Sequence, residues 1–177
     1  VGVEEGYARR VQEMGQAELL ALWGRVRRRE RIEGGAPGRA FEFLLLRAFQ
    51  LEGAKVVWPY ASVIEQIDGG VYVDGLSCLV EAKDHAEPIG FEAIARLSVR
   101  MQRRPSPALG LLFSTSGFTW PALKAVAAHP LRNVLLWRDT DIAMALEHGM
   151  RASLRRKWRV AVEVGTLDHP LAKEDFR

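Results

Sequence analysis

Asp74-Gly75 restricts what this 177-residue chain can become more than any other pair of residues. It separates two runs rich in β-branched and aromatic residues, and an Asp-Gly step flanked in this way is the strongest short signal for a two-residue hairpin turn. With those two residues as the turn, the register over residues 66–83 follows by counting. Val73 faces Leu76, Tyr72 faces Ser77, Val71 faces Cys78, Gly70 faces Leu79, Gly69 faces Val80 and Asp68 faces Glu81. Side chains alternate faces along a strand, so Gln66, Asp68, Glu81 and Lys83 share one surface while Cys78, Val80 and Ala82 take the other. A bulge at Gly69-Gly70 would slip this count by one residue.

The pairing sets two carboxylates opposite each other. Directly opposed residues have Cβ atoms roughly 5 Å apart, where like charges destabilise a sheet. Lys83 offers one compensating charge nearby. A hard divalent cation with oxygen ligands would neutralise the pair far better.

Composition narrows the class. An apolar fraction of 48% and a charged fraction of 27% suit a soluble globular chain of one domain with helical additions. No apolar run approaches the roughly 20 residues of a membrane span, so no membrane partner is expected. The start, Val-Gly-Val-Glu-Glu, lacks a signal peptide's order and an initiator Met, which points to a trimmed or excerpted chain. Cys78, the sole cysteine, excludes an internal disulfide and a thiolate zinc site; it reads as a small buried hydrophobe in a cytoplasmic protein. His85, His129, His148 and His169 show no ligand spacing. The net charge of +3 is concentrated in blocks at 25–31, 100–104 and 151–159, which are either phosphate-binding footprints or solvated helix faces.

Along the chain, Leu19, Leu22, Trp23 and Val26 predict an amphipathic helix over 16–32, and residues 33–38 break it. A second helix is expected over 39–52 with Phe41, Leu44, Leu45, Ala48 and Phe49 buried and Gly53 ending it. Short strands at 55–58 and 62–66 lead into the hairpin. Then follow a helix over 90–104, a buried strand over 108–113, a helix over 120–128 capped by Thr119, a strand over 133–137 and a helix over 140–148. The division expected is an N-terminal helical appendage (1–35), a main α/β domain (36–150) and a peripheral basic tail (151–177).

Asp68, followed after twelve residues by Glu81-Ala82-Lys83 at a strand end, resembles the PD-(D/E)XK nuclease signature. Gly38-Arg39-Ala40-Phe41-Glu42 opens a helix like the glutamate-bearing helix that precedes the first strand in that superfamily. The stretch from Leu111 to Thr119 is similar to the strand-and-turn of Mrr-type restriction endonucleases. Position 81 holds Glu where many Mrr-type members have Gln, and no separate DNA-recognition domain fits before residue 36.

The resemblance implies a restriction-endonuclease-like α/β core, a mixed central sheet flanked by helices, and a metal-dependent DNA endonuclease of restriction or defence. It implies that Asp68, Glu81 and the backbone carbonyl of Ala82 hold Mg²⁺, with Mn²⁺ able to substitute. Lys83 would position the attacking water, Glu42 would orient Lys83 or a metal-bound water, and Gln66 would be auxiliary. Arg96, Arg100, Arg103 and Arg104, recurring on one stripe of the 90–104 helix, are the expected phosphate contacts to a DNA partner. Three alternatives stay open: a Holliday-junction resolvase, which requires a homodimer; another DNA-repair nuclease; and a binding module that keeps the fold without turnover.

Overall fold

The computed structural model of the chain describes residues 3–32, 38–129 and 131–177. Its order is α1 (Val3–Glu13), α2 (Gln16–Arg27), α3 (Arg39–Leu51), β1 (Lys55–Val57), β2 (Tyr60–Ala61), β3 (Gln66–Ile67), β4 (Gly69–Val73), β5 (Leu76–Lys83), α4 (Phe91–Met101), β6 (Ala108–Ser114), α5 (Trp120–Ala128), β7 (Val134–Trp137), α6 (Asp139–His148) and α7 (Met150–Val164), then a 3-10 turn, Lys173–Phe176.

The hairpin forms in the counted register, from Val73 opposite Leu76 to Gly69 opposite Val80. Asp74 and Gly75 both take positive φ, 52° and 78°, which the right-handed twist of the flanking strands favours in a two-residue turn. Strands run β1-β4-β5-β6-β7, antiparallel through β5 and parallel beyond it, so the sheet is mixed. Val71, Cys78, Val80 and Phe113 pack with α1, α2, α3, α6 and α7, whereas Leu112, Val134 and Leu136 pack with α4 and α5. The strands after β5 are covered on both faces, which explains their unbroken apolar runs. Cys78 is buried, and burial pushes its thiol pKa up to about 12.

Four expectations need correction. The first helix of the sequence reading ends at Arg27, and α1, which buries Tyr7 and Val11 one turn apart, precedes it. Residues 62–65 are not in a strand, and only Gln66 of the expected run pairs, in β3. Ser62 N donates to the Glu65 carbonyl at 2.8 Å, and Ser62 Oγ accepts from Glu65 N at 3.1 Å, so the hydroxyl closes a turn between β2 and β3. The counted register stops one rung short, at Gly69 opposite Val80, so Asp68 does not face Glu81; in the turn, Arg151 and Arg155 pair with the exposed Asp74, and the Arg151 hydrogen bond holds its carboxyl below the usual range.

The fourth concerns the basic tail. Met150, Leu154 and Val160 of α7 are buried. Lys157 Nζ donates to Asp141 Oδ2 at 2.8 Å, to the Leu136 carbonyl at 2.8 Å and to the His169 carbonyl at 2.7 Å. Asp141 Oδ1 accepts from Leu171 N at 2.8 Å, so one buried ion pair fastens the segment after α7 to β7 and α6. A buried Lys is tolerated when all three of its donors are satisfied. The break expected at 33–38 lies, except for Gly38, outside the described residues. Among the described residues no helix is long and apolar enough to cross a membrane.

Candidate active site

A fork in the sheet creates the site. The β4–β5 ladder stops at Gly69 and Val80, while β5 continues beside β6 until Lys83 meets Ser114. Asp68 lies at the break between β3 and β4, so it is not the next rung opposite Glu81. Its Oδ2 instead accepts from the Ala82 amide at 3.0 Å. Burial raises the Asp68 pKa; the Ala82 hydrogen bond opposes that, and the nearby Glu81 charge adds to it.

Glu81 is 6% exposed, and cations occupy both of its oxygens. Lys83 Nζ stands 2.9 Å from Oε1, and Arg100 Nη1 stands 2.8 Å from Oε2. Alternation along β5 puts Glu81 and Lys83 on one face, as expected. Arg100 also reaches Glu65 Oε2 through its Nε at 2.7 Å, and Arg104 pairs with the other Glu65 oxygen. Burial pushes the Glu65 carboxyl up, but Arg104, with Arg100 and Arg103, more than offsets this and leaves it lowered.

Glu42 enters from α3, whose apolar residues bury one side against the sheet. Arg39 binds it at 2.6 Å. Burial raises the Glu42 pKa, Arg39 opposes, and the neighbouring Asp68 charge reinforces the rise. The helix can come this close because residue 69 is Gly: a Cβ there would fall 2.7 Å from Leu46 Cδ1, one turn along α3 from Glu42.

These groups line an open cleft of about 1110 Å³. Asp68, Glu81, Lys83 and Glu42 lie within it, together with Arg29 and Arg31 from beyond α2 and Ile64, Glu65 and Gln66 from the β2–β3 ribbon. Arg29, at a positive φ of 54°, crosses to Asp84 at 3.3 Å and to the His85 carbonyl. The segment after α2 therefore walls the site. Nothing in the arginine block singled out Arg29, because its reach depends on a left-handed backbone turn.

The arginine stripe divides. Arg96 pairs with Glu92 at 2.9 Å on the exposed side of α4, while Arg100 and Arg104 are held by carboxylates. Arg103 is exposed and acts on Glu65 through its charge. Glu65 has the wrong parity for the site in a continuous strand, and the Ser62 turn changes that. Ser114 donates to the Gly117 carbonyl at 2.8 Å and Thr115 to Asp84 at 3.0 Å, which is turn duty. His85 is exposed at the cleft and its carbonyl serves Arg29.

Among the described residues no group of three or more His, Cys, Asp or Glu side chains is gathered closely enough to hold a metal ion. Asp68 and Glu81 nevertheless form a hard-oxygen pair beside a third carboxylate; burial first, and then the charge of a neighbouring carboxylate, raises the pKa of Asp68 and Glu42. Two carboxylates fit a cation such as Mg²⁺, which keeps several of its waters.

In comparisons with known proteins, the restriction endonuclease family model Mrr_cat matches residues 35–146, more than half of the chain. No curated protein and no solved structure matches.

Proposed function

The chain belongs to the Mrr-type restriction endonuclease family, and from that membership we propose that it is a metal-dependent endonuclease that hydrolyses DNA phosphodiester bonds in restriction or defence. The observation carrying this reading is the fork itself, where Asp68 is bound to the Ala82 amide at 3.0 Å and Glu81 lies 2.9 Å from Lys83. Asp68, Glu81 and the Ala82 carbonyl would hold Mg²⁺ or Mn²⁺, which supplies a Lewis acid for the phosphoryl oxygen. Lys83 Nζ positions the attacking water and steadies its developing negative charge. Glu42, buried and close to Asp68, orients the Lys83 ammonium. Arg100 fixes the Glu81 carboxylate, so it acts on the site by positioning. Gln66 offers an amide at the cleft edge.

The test is incubation with Mg²⁺ and linear, supercoiled, methylated and branched DNAs. Wild type should nick or cut at least one form, and chelation should stop it. Asp68→Ala, Glu81→Ala and Lys83→Ala should each lower the rate about a thousandfold or more, in the range of an essential catalytic group. Duplex binding in Ca²⁺ should persist in all three.

A second reading has one observation in its favour. Both Glu81 oxygens already carry cationic partners, which suits a binding module that keeps the fold without turnover. Duplex binding by wild type without metal-dependent cleavage of any form would select it.

A further inference from the structure

The turn between β2 and β3 carries two β-branched apolar residues that stand out from the described residues: Val63 is fully exposed and Ile64 is 70% exposed. Each normally hides in a core. The turn that displays them is built rather than slack. Ser62 Oγ accepts from the Ile64 and Glu65 amides at 3.4 and 3.1 Å and donates to the Glu65 carbonyl at 2.9 Å. Glu65 then pins the turn to Arg100 of α4 and to Arg104 just beyond it. Ile64 lines the same cleft as Asp68, Glu81 and Lys83.

We propose that the Val63-Ile64 tip is an apolar wedge that enters a groove of duplex DNA and partly unstacks a base step at the cleft. This rests on the nuclease reading and adds how the substrate is held. Three observations select DNA as the occupant. Ile64 of the tip lines the cleft that holds Asp68, Glu81 and Lys83. Arg29 and Arg31 line that cleft too, and exposed Arg103 follows α4, giving the charge a phosphate backbone requires. A two-stranded ribbon is narrow enough to enter a DNA groove, and Ile is among the side chains that architectural proteins insert between base steps. Because the tip carries no charge, its contribution is independent of the phosphate contacts.

The experiment compares wild type with the Val63→Ser/Ile64→Ser variant on a short duplex carrying 2-aminopurine at alternate positions, in Ca²⁺. Both residues are exposed, so the variant should keep the wild-type Tm. Wild type should raise 2-aminopurine fluorescence on binding. The variant should bind about tenfold more weakly with an unchanged salt slope and no fluorescence rise, and Val63→Leu/Ile64→Leu should restore the signal. Wild-type binding without a rise, or a variant that unstacks as wild type does, overturns the wedge and leaves the nuclease reading standing. A variant that alters oligomeric state but not DNA binding also overturns it, and makes the tip a contact between copies. Failure of wild type to bind or cut any DNA overturns both readings together.

Discussion

Gly69 lies directly beneath Leu46: a Cβ on residue 69 would meet both Leu46 methyl carbons at 2.7 Å, inside any real contact distance. Gly69→Ala must therefore displace the buried Leu46 side chain, lift α3 or bend β4, and it also sets a side chain on a backbone at φ 158°. Overpacking of this kind costs about 1–3 kcal/mol, and urea denaturation should show it. Cleavage per folded molecule should fall as well. Gly70→Ala is the control, since a Cβ there meets nothing closer than 3.5 Å. Equal stabilities for the two variants would refute the close approach.

Asp68 and Glu42 give the site a pH signature. Burial raises the pKa of both carboxyls, and the charge of a neighbouring carboxylate adds to the rise. An acid whose pKa rises on folding contributes stability that is fully present below its unfolded pKa and lost as pH climbs through the folded value. Without divalent cations, Asp68→Asn and Glu42→Gln should therefore melt higher than wild type at neutral pH. The gain should be about 2–4 °C, the effect of 1 kcal/mol in a chain of this size. It should shrink on acidification and vanish only below about pH 3, where both carboxyls are neutral in either state. Adding Mg²⁺ should reverse the order for Asp68→Asn, which loses a ligand of the proposed ion. Melting curves across pH would test this, and a gain that persists in acid would exclude ionisation as its cause.

Arg100 and Arg103 should separate in their effects. The sequence reading paired them as phosphate contacts, each lowering the salt slope of binding by roughly 1 when lost. Arg100 is instead fixed between Glu81 and Glu65 at 2.8 and 2.7 Å. Arg103→Ala should thus lower the slope by about 1 with little change in stability. Arg100→Ala should leave two largely buried carboxylates without their guanidinium and cost about 1–3 kcal/mol, while altering the slope less. Anisotropy titrations in Ca²⁺ at several salt concentrations, alongside melting curves, distinguish the two. Identical slopes in both variants would return Arg100 to the phosphate-contact set.

Lys157→Met should destabilise the fold by about 3–5 kcal/mol, because it strands the Asp141 carboxylate in an apolar interior. Replacing both partners with apolar residues should recover part of that loss. Cleavage per folded molecule should be unchanged, since the pair is remote from the cleft lining. A mild loss from the single change would mean that water reaches Asp141.

The hairpin was legible because Asp-Gly between β-branched runs leaves one reasonable register, and every rung from Val73 to Gly69 follows it. The parallel strands and their helices were legible from unbroken apolar runs and the Thr119 cap, where Thr119 accepts from Ala122 N at 3.2 Å. The end of the hairpin was not. Alternation treats Asp68 as a rung, whereas the chain leaves the ladder there and its carboxylate takes a backbone donor. Parity also misplaced Glu65, because a single serine hydroxyl converts a strand-like run into a turn. Lys157 escaped notice for a different reason: within Arg155-Arg156-Lys157 it looks like one more surface cation, and its partner lies sixteen residues earlier on another helix.

Cys78 faces the larger apolar cluster from the middle of β5, and its thiol is held far from its reactive form. That makes the chain's single sulfur a built-in clock for opening of the sheet. A thiol-modifying reagent reaches it only when the packing over β5 opens, so the labelling rate reads how often the site's scaffold comes apart. The fork that carries Glu81 and Lys83 occupies the far end of the same strand, and the same rate would show whether DNA or a metal ion slows that opening.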